Sequence, residues 1–316
     1  MPDSAAAEFQ TYLFFLRHFS QLIRANRSPV HDAALLAALI AAQTPRIQNV
    51  GLGQFTAAEL LSIRKFLFTS WNAEALARLS TLYGPEVIRF TNQWKPVQCY
   101  YAVYFQLVAV QFAATRVIYR THDSTIKYAT NSIVHWLPRP WCCRLNLDNR
   151  TLTEFPANTA IRGQSGWNLA NNEPFFHLAC FLRRTAERNR NETVTDLRRR
   201  RRKIPAGQPR AGRLYTRADV RIGTVSIFDV LWRFRTWANY HEGDTVIEGG
   251  EYPNHAVEFD ARFNEVTDTT AVLTERILSR YLTPATMRPL YDQFLALAAG
   301  HLDAATIIRR RDLICP

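Results

Sequence analysis

The chain has 316 residues, of which 47% are hydrophobic and 21% charged, enough apolar material for a substantial core and too much for a chain dominated by disorder. Its formal net charge of +12 is unevenly placed. Residues 183–221 hold fourteen Lys/Arg against four Asp/Glu, whereas residues 242–268 hold eight acids against Arg262 alone. That polarity calls for a polyanionic partner for the first segment or an internal partner for the second.

The five cysteines, Cys99, Cys142, Cys143, Cys180 and Cys315, are odd in number and lack zinc-site spacings. Cys142 and Cys143 are adjacent, a separation that bridges only with strain, so reduced thiols are expected. The first residues show no basic start, apolar run and small-residue cleavage site, and a cytoplasmic location is expected.

From the N-terminus, Phe9, Leu13, Leu16, Phe19 and Ile23 recur at helical spacing over residues 6–26, and Ser28-Pro29 ends that helix. Residues 31–43 predict a short alanine-rich helix and residues 45–54 a loop. Thr56 with Glu59 forms a capping box for a helix to about Phe68. Asn72 is placed to cap another through Leu82, and Gly84-Pro85 to end the pair. Residues 97–115 then run for nineteen positions without a charge. Gln98, Gln106, Gln111 and three tyrosines interrupt them, which favours a buried central helix, opened by Pro96, over a membrane span. Tyr100, Tyr101 and Tyr104 on that helix are expected to pack as core.

Thr121 to Ser124 breaks the pattern, residues 124–136 resume it, and residues 137–168 read as an irregular connection with a short hairpin. Pro174 opens a helix that is apolar to Leu182, then polar, then RRRRRK at Arg198 to Lys203, read as an exposed arm or frayed helix end. Residues 255–282 and 284–299 predict the last two helices. Strand signal is scarce and no internal repeat is present. The expected class is all-α, a helical bundle with an N-terminal helical region over residues 1–92. A helical domain over residues 93–316 carries the irregular connection 137–168 and the basic arm 183–221.

Residues 226–244 concentrate the chemistry. Ile227, Leu231, Phe234 and Ala238 form a helical stripe that reaches His241, and beside it run Phe228, Trp232, Arg235 and Asn239. Gly243 marks the helix end. An arginine followed by four to six residues and a histidine suits a cation that holds a phosphate while an imidazole moves a proton. Three pairs fit: Arg24 with His31, Arg116 with His122, and Arg235 with His241. The first straddles Ser28-Pro29 and reads as loop polarity. By spacing alone the last fits an interfacial histidine beside an arginine bonded to Glu242 or Asp244 better than a catalytic pair. Six residues of regular helix set Arg235 and His241 ~120° apart, so a relaxed last turn or a second subunit is needed to aim both at one phosphate.

Residues 98–126, QCYYAVYFQLVAVQFAATRVIYRTHDSTI, resemble the YYAxFHAxxAL helix and following TH element of HEPN (higher eukaryotes and prokaryotes nucleotide-binding) domains. RTWANYH at 235–241 is similar to that family's second signature, an arginine helix ending in a histidine or in an A-[DN]-Y triplet. The resemblance spans residues 98–241 and the next helix, and implies a HEPN-like core. It implies metal-independent, cofactor-free cleavage of RNA: His241 takes the 2′-hydroxyl proton, Arg235 stabilises charge on the phosphorane, and a 2′,3′-cyclic phosphate is left. Asn239, Tyr240 and His122 would line the cleft. It further implies a homodimer and a toxin or antiviral defence effector restrained by a partner protein. The Asn239-Tyr240 pair also resembles the branch lacking the histidine, which implies a non-catalytic module binding a nucleotide, an RNA or a protein.

The run Arg198, Arg199, Arg200, Arg201, Arg202 and Lys203 suits RNA phosphates, which guanidinium groups hold without reading bases, or a solvated helix tail. The acidic residues 242–268 carry no metal-ligand spacing, and are expected to neutralise the basic arm when RNA is absent.

Overall fold

The computed structural model describes residues 4–24, 33–79, 84–119, 121–146, 151–154, 159–160, 174–201, 216, 223–240, 253–299 and 304–316. In chain order these are α1 (Ser4–Arg24), α2 (Ala33–Ile47), α3 (Ala57–Arg78), α4 (Pro85–Thr91), α5 (Lys95–Thr115), α6 (His122–Asn131) and a 3-10 turn (Ile133–Trp136). Three strands follow, β1 (Cys143–Asn146), β2 (Thr151–Glu154) and β3 (Thr159–Ala160). Then come α7 (Pro174–Arg201), β4 (Thr224–Ser226), α8 (Ile227–Tyr240), α9 (Pro253–Leu282), α10 (Pro284–Ala298) and α11 (Ala305–Ile314). The fold is all-α, with one small antiparallel sheet of order β3-β2-β1-β4.

The hairpin expected between residues 137 and 168 is β1 paired with β2, Cys143 opposite Glu154. On the other side of β1, Arg144 lies opposite Ser226. The sheet therefore fixes the point at which the chain turns into α8.

α5 is buried on nearly every side and packs against α3, α8 and α9, as an uncharged helix with apolar residues all round should. One apolar core runs from Phe9 on α1 to Cys315 after α11. Several boundaries and one element differ from expectation. α2 runs to Ile47 through Pro45, into the stretch read as a loop. α3 continues through Asn72, because Trp71 and Ala75 on either side of that exposed residue are both buried, and packing outweighs its capping propensity. Gly84-Pro85 opens α4, with Gly84 as N-cap and Pro85 in the first turn. α7 extends to Arg201, so the first four residues of the arginine run are helical. α11, which was not expected, closes the bundle against α9 and α10.

The acidic stretch finds its partners inside the fold. On α9, Glu258 pairs with Arg17 and Glu265 with Arg24 of α1. Asp260 pairs with Lys95 of α5 at 2.8 Å, and Asp268 with Arg78 of α3. The described half of that segment thus clamps three helices, and its four acids pair with α1, α3 and α5 rather than with the basic arm. Residues 242–252 lie outside the described residues. No described helix is long and apolar enough to cross a membrane.

Candidate functional site at the junction of α5, α6 and α8

α8 is held at its start by an acid. The Asp229 carboxylate accepts from the Ser226 backbone N–H at 2.9 Å and from Thr130 Oγ1 on α6 at 2.9 Å, while Ser226 Oγ accepts from Phe228 N–H at 3.3 Å. Ser226 and Asp229 thus satisfy the first turn of α8 from both ends, and Thr130 ties that cap sideways to α6. Burial outweighs those bonds and pushes the Asp229 carboxyl up to about 6.

From that anchor α8 sends two arginines to opposite sides. Arg233 lies 4.9 Å over Phe181 and 5.4 Å over Tyr12, and donates to Thr185 Oγ1 of α7 at 3.3 Å. Arg235 turns toward α5. Its Nη2 donates to Tyr101 Oη at 3.2 Å, with the guanidinium carbon 5.8 Å from the ring centre.

The opposite wall is the junction between α5 and α6. α5 ends at Arg116, whose backbone adopts the left-handed region (φ 61°) and whose guanidinium lies 3.8 Å over Phe55, donates to Gln54 O at 2.8 Å and pairs with Glu59. Arg116 therefore fixes the helix end and is separated in role from His122. Thr121 caps α6, accepting from Ser124 N–H at 3.2 Å, and His122 is the first helical residue. Its ring packs 4.4 Å from Tyr104 and 5.9 Å from Tyr101, and its Nδ1 lies 2.8 Å from Tyr100 Oη.

Burial holds the His122 pKa below the ordinary imidazole value, and the Arg235 cation lowers it further. The imidazole is accordingly neutral at pH 7. Burial likewise holds the Tyr100 hydroxyl well above the usual phenol range, so it stays protonated and can donate or accept. With the proton on Nδ1 and donated to Tyr100 Oη, the His122 Nε2 keeps a lone pair; the other tautomer makes Nε2 a donor. A half-buried proton-transfer group thus stands in the field of a fixed cation.

Of the residues singled out from sequence, the structure brings Arg235 and His122 to one aromatic cluster. Asn239 lies half-buried one turn beyond Arg235. Tyr240 is the last residue of α8 with its side chain outside the described residues, as are His241 and His31. Arg24 is tied to Glu265 and belongs to the α1–α9 clamp. Arg198, Arg199 and Arg200 are exposed on the last turns of α7; the Arg201 side chain, Arg202 and Lys203 lie outside the described residues. Tyr100 and Tyr101 were expected only to pack. Tyr100 is indeed buried, yet its hydroxyl holds the histidine and that of Tyr101 holds the arginine. The rule that a buried phenol needs a polar partner could have found them.

Two clefts border α7 and α8. One of about 800 Å³ opens between α6, α7, β4 and α8, with Lys127, Asp196, Arg200 and Trp232 on its walls and Asp229 at its lining. Another, of about 740 Å³, lies beside Arg188, Arg199 and Thr236. Among the described residues no three His, Cys, Asp or Glu side chains are grouped to hold a metal ion. No match to the chain was found among family models, characterised proteins or solved structures.

Proposed function

We propose that the chain is a HEPN-like, metal-independent endoribonuclease acting as a homodimer, in the manner of a toxin or antiviral defence effector restrained by a partner protein. The observation that supports it is the neutral His122 imidazole, held at Nδ1 by Tyr100 and facing the field of Arg235. In this reading Arg235 stabilises charge on the scissile phosphate, and an imidazole, His241 or His122, takes the 2′-hydroxyl proton. Asn239 and Tyr240 border the site. A second subunit brings its own copy of α8 and removes the angular conflict between Arg235 and His241. The exposed Arg198, Arg199 and Arg200 on the last turns of α7 offer a polyanion a landing surface.

The test is incubation of total RNA with the purified protein in excess chelator, comparing wild type with Arg235→Ala, His122→Ala and His241→Ala. Cleavage leaving 2′,3′-cyclic phosphate ends is expected in the wild type, with Arg235→Ala and one histidine variant losing ~100-fold or more in rate. Identical RNA profiles across all four proteins would remove the nuclease reading. A second reading, a non-catalytic RNA- or nucleotide-binding module, is favoured by one contact: the Arg235 guanidinium is already engaged by Tyr101. It predicts that Arg235→Ala weakens RNA retention while no protein cuts.

A further inference from the structure

α1 and α7 lie against each other, and between residues 7–17 of the first and 176–184 of the second they leave a cleft of about 550 Å³. That volume is in the range of small-molecule sites. Helical spacing builds both walls: Ala7, Gln10, Phe14 and Arg17 follow each other at intervals of three and four on α1, and on α7 His177, Cys180 and Arg184 do so, with Phe181 four residues after His177. Phe15 and Phe181 stack at 4.2 Å beneath them. Phe14 is 46% exposed and yet braced. It stands edge-on to His18 at 4.2 Å and to His177 at 4.7 Å, two imidazoles that are themselves stacked at 3.8 Å. The rigid aromatic wall therefore faces outward rather than folding into the core.

The charged groups of the cleft, Arg17 and Arg184, are of one sign. No carboxylate lines it among the described residues. Arg17 gives its guanidinium to Glu258 through bonds of 2.9 and 2.6 Å, which commits it to the α1–α9 clamp. Arg184, exposed on the rim one turn after Cys180, makes no ion pair with a described residue. A cation would meet arginine here and find no acid; a neutral aliphatic ligand would leave Arg184 without a role. Ring-lined walls accept flat π-systems in offset or edge geometry, beyond simple area burial.

We propose that the α1–α7 cleft binds a small planar aromatic anion, its ring system between Phe14 and the Phe15–Phe181 stack and its negative group on Arg184. The site lies apart from the Arg235–His122 cluster, and its test does not depend on RNA cleavage. Two probes of one shape separate charge from apolar contact: 2-naphthoate and the neutral 2-naphthamide, each titrated by calorimetry and by thermal unfolding. Naphthoate is expected to bind at one site and raise the melting temperature, and naphthamide to bind about tenfold more weakly, as the loss of a charge-assisted contact requires. Arg184→Ala, a change at an exposed residue, should bring naphthoate down to the naphthamide level without altering the melting temperature of the free protein. Phe14→Ala should weaken both probes. Absence of naphthoate binding, equal affinity for the two probes, or unchanged naphthoate affinity in Arg184→Ala would overturn the proposal.

Discussion

His122 is held by the Tyr100 hydroxyl and Arg235 by the Tyr101 hydroxyl, and the arginine acts on the histidine through its charge. Burial and the guanidinium push the imidazole in the same direction, toward the neutral form. Replacing Arg235 with Gln should therefore raise the His122 pKa part of the way back, the burial component remaining. Following the His122 ring proton by NMR across pH 4–8 reads this directly, and an unmoved midpoint would mean that the two side chains share no field. Arg235 and His122 were legible in the sequence because each sits next to a pattern that survives without structure: a helix stripe for the arginine, the end of a charge-free run for the histidine. Their pairing with each other was not. The spacing rule joins Arg235 to His241 and Arg116 to His122, whereas the fold gives Arg116 to Phe55 and Glu59 and sets Arg235 toward His122 through Tyr101. Contacts between residues more than a hundred positions apart leave no periodic trace.

The way α8 begins carries a pH dependence of its own. In the folded chain the Asp229 carboxyl titrates at about 6 against an ordinary value of 3.8. The native state therefore holds a proton that the unfolded chain has released between those two values. This group's contribution to stability is intact below about pH 4, falls as the pH rises, and stays lower by roughly 3 kcal/mol above about pH 6. Asp229→Asn keeps an oxygen to accept from Ser226 and Thr130 but cannot ionise. Urea unfolding of both proteins at pH 4 and pH 7 should show the variant gaining relative to wild type at the higher pH; parallel profiles would contradict the assignment. Most of the long helices were readable, since helical periods and caps are local. Boundaries failed where packing decided. The helix across Asn72 is held by Trp71 and Ala75, and α11 hid behind Arg309, Arg310 and Arg311, a polar triplet whose middle member turns out to be buried.

Across the whole molecule, that middle arginine is the keystone of the charged interior. Arg310, 2% exposed, donates to both oxygens of Glu74 on α3 at 2.7 and 2.6 Å and to Glu275 on α9 at 3.0 Å. Glu275 also accepts from Trp71 and Gln106, and from Tyr291. Arg310→Met should cost about 3–5 kcal/mol, because it strands two carboxylates in a dry interior. Adding Glu74→Leu and Glu275→Leu to that change should recover part of the loss; chemical denaturation of the single and triple variants checks this, and a single variant as stable as wild type would refute it. The all-helical class and the uneven charge were plain in the composition. That α9 would direct its acids to α1, α3 and α5 was not, because an amphipathic period says which face is polar and not what meets it.

The same arrangement orders events during synthesis. Glu74 and Glu275 leave the ribosome long before the cation that stabilises them, 236 and 35 positions ahead of Arg310 respectively. In a growing chain short of that residue, closing α3 on α9 buries both carboxylates without the guanidinium that bridges them. Completion of the bundle is therefore expected to wait until translation has passed α11.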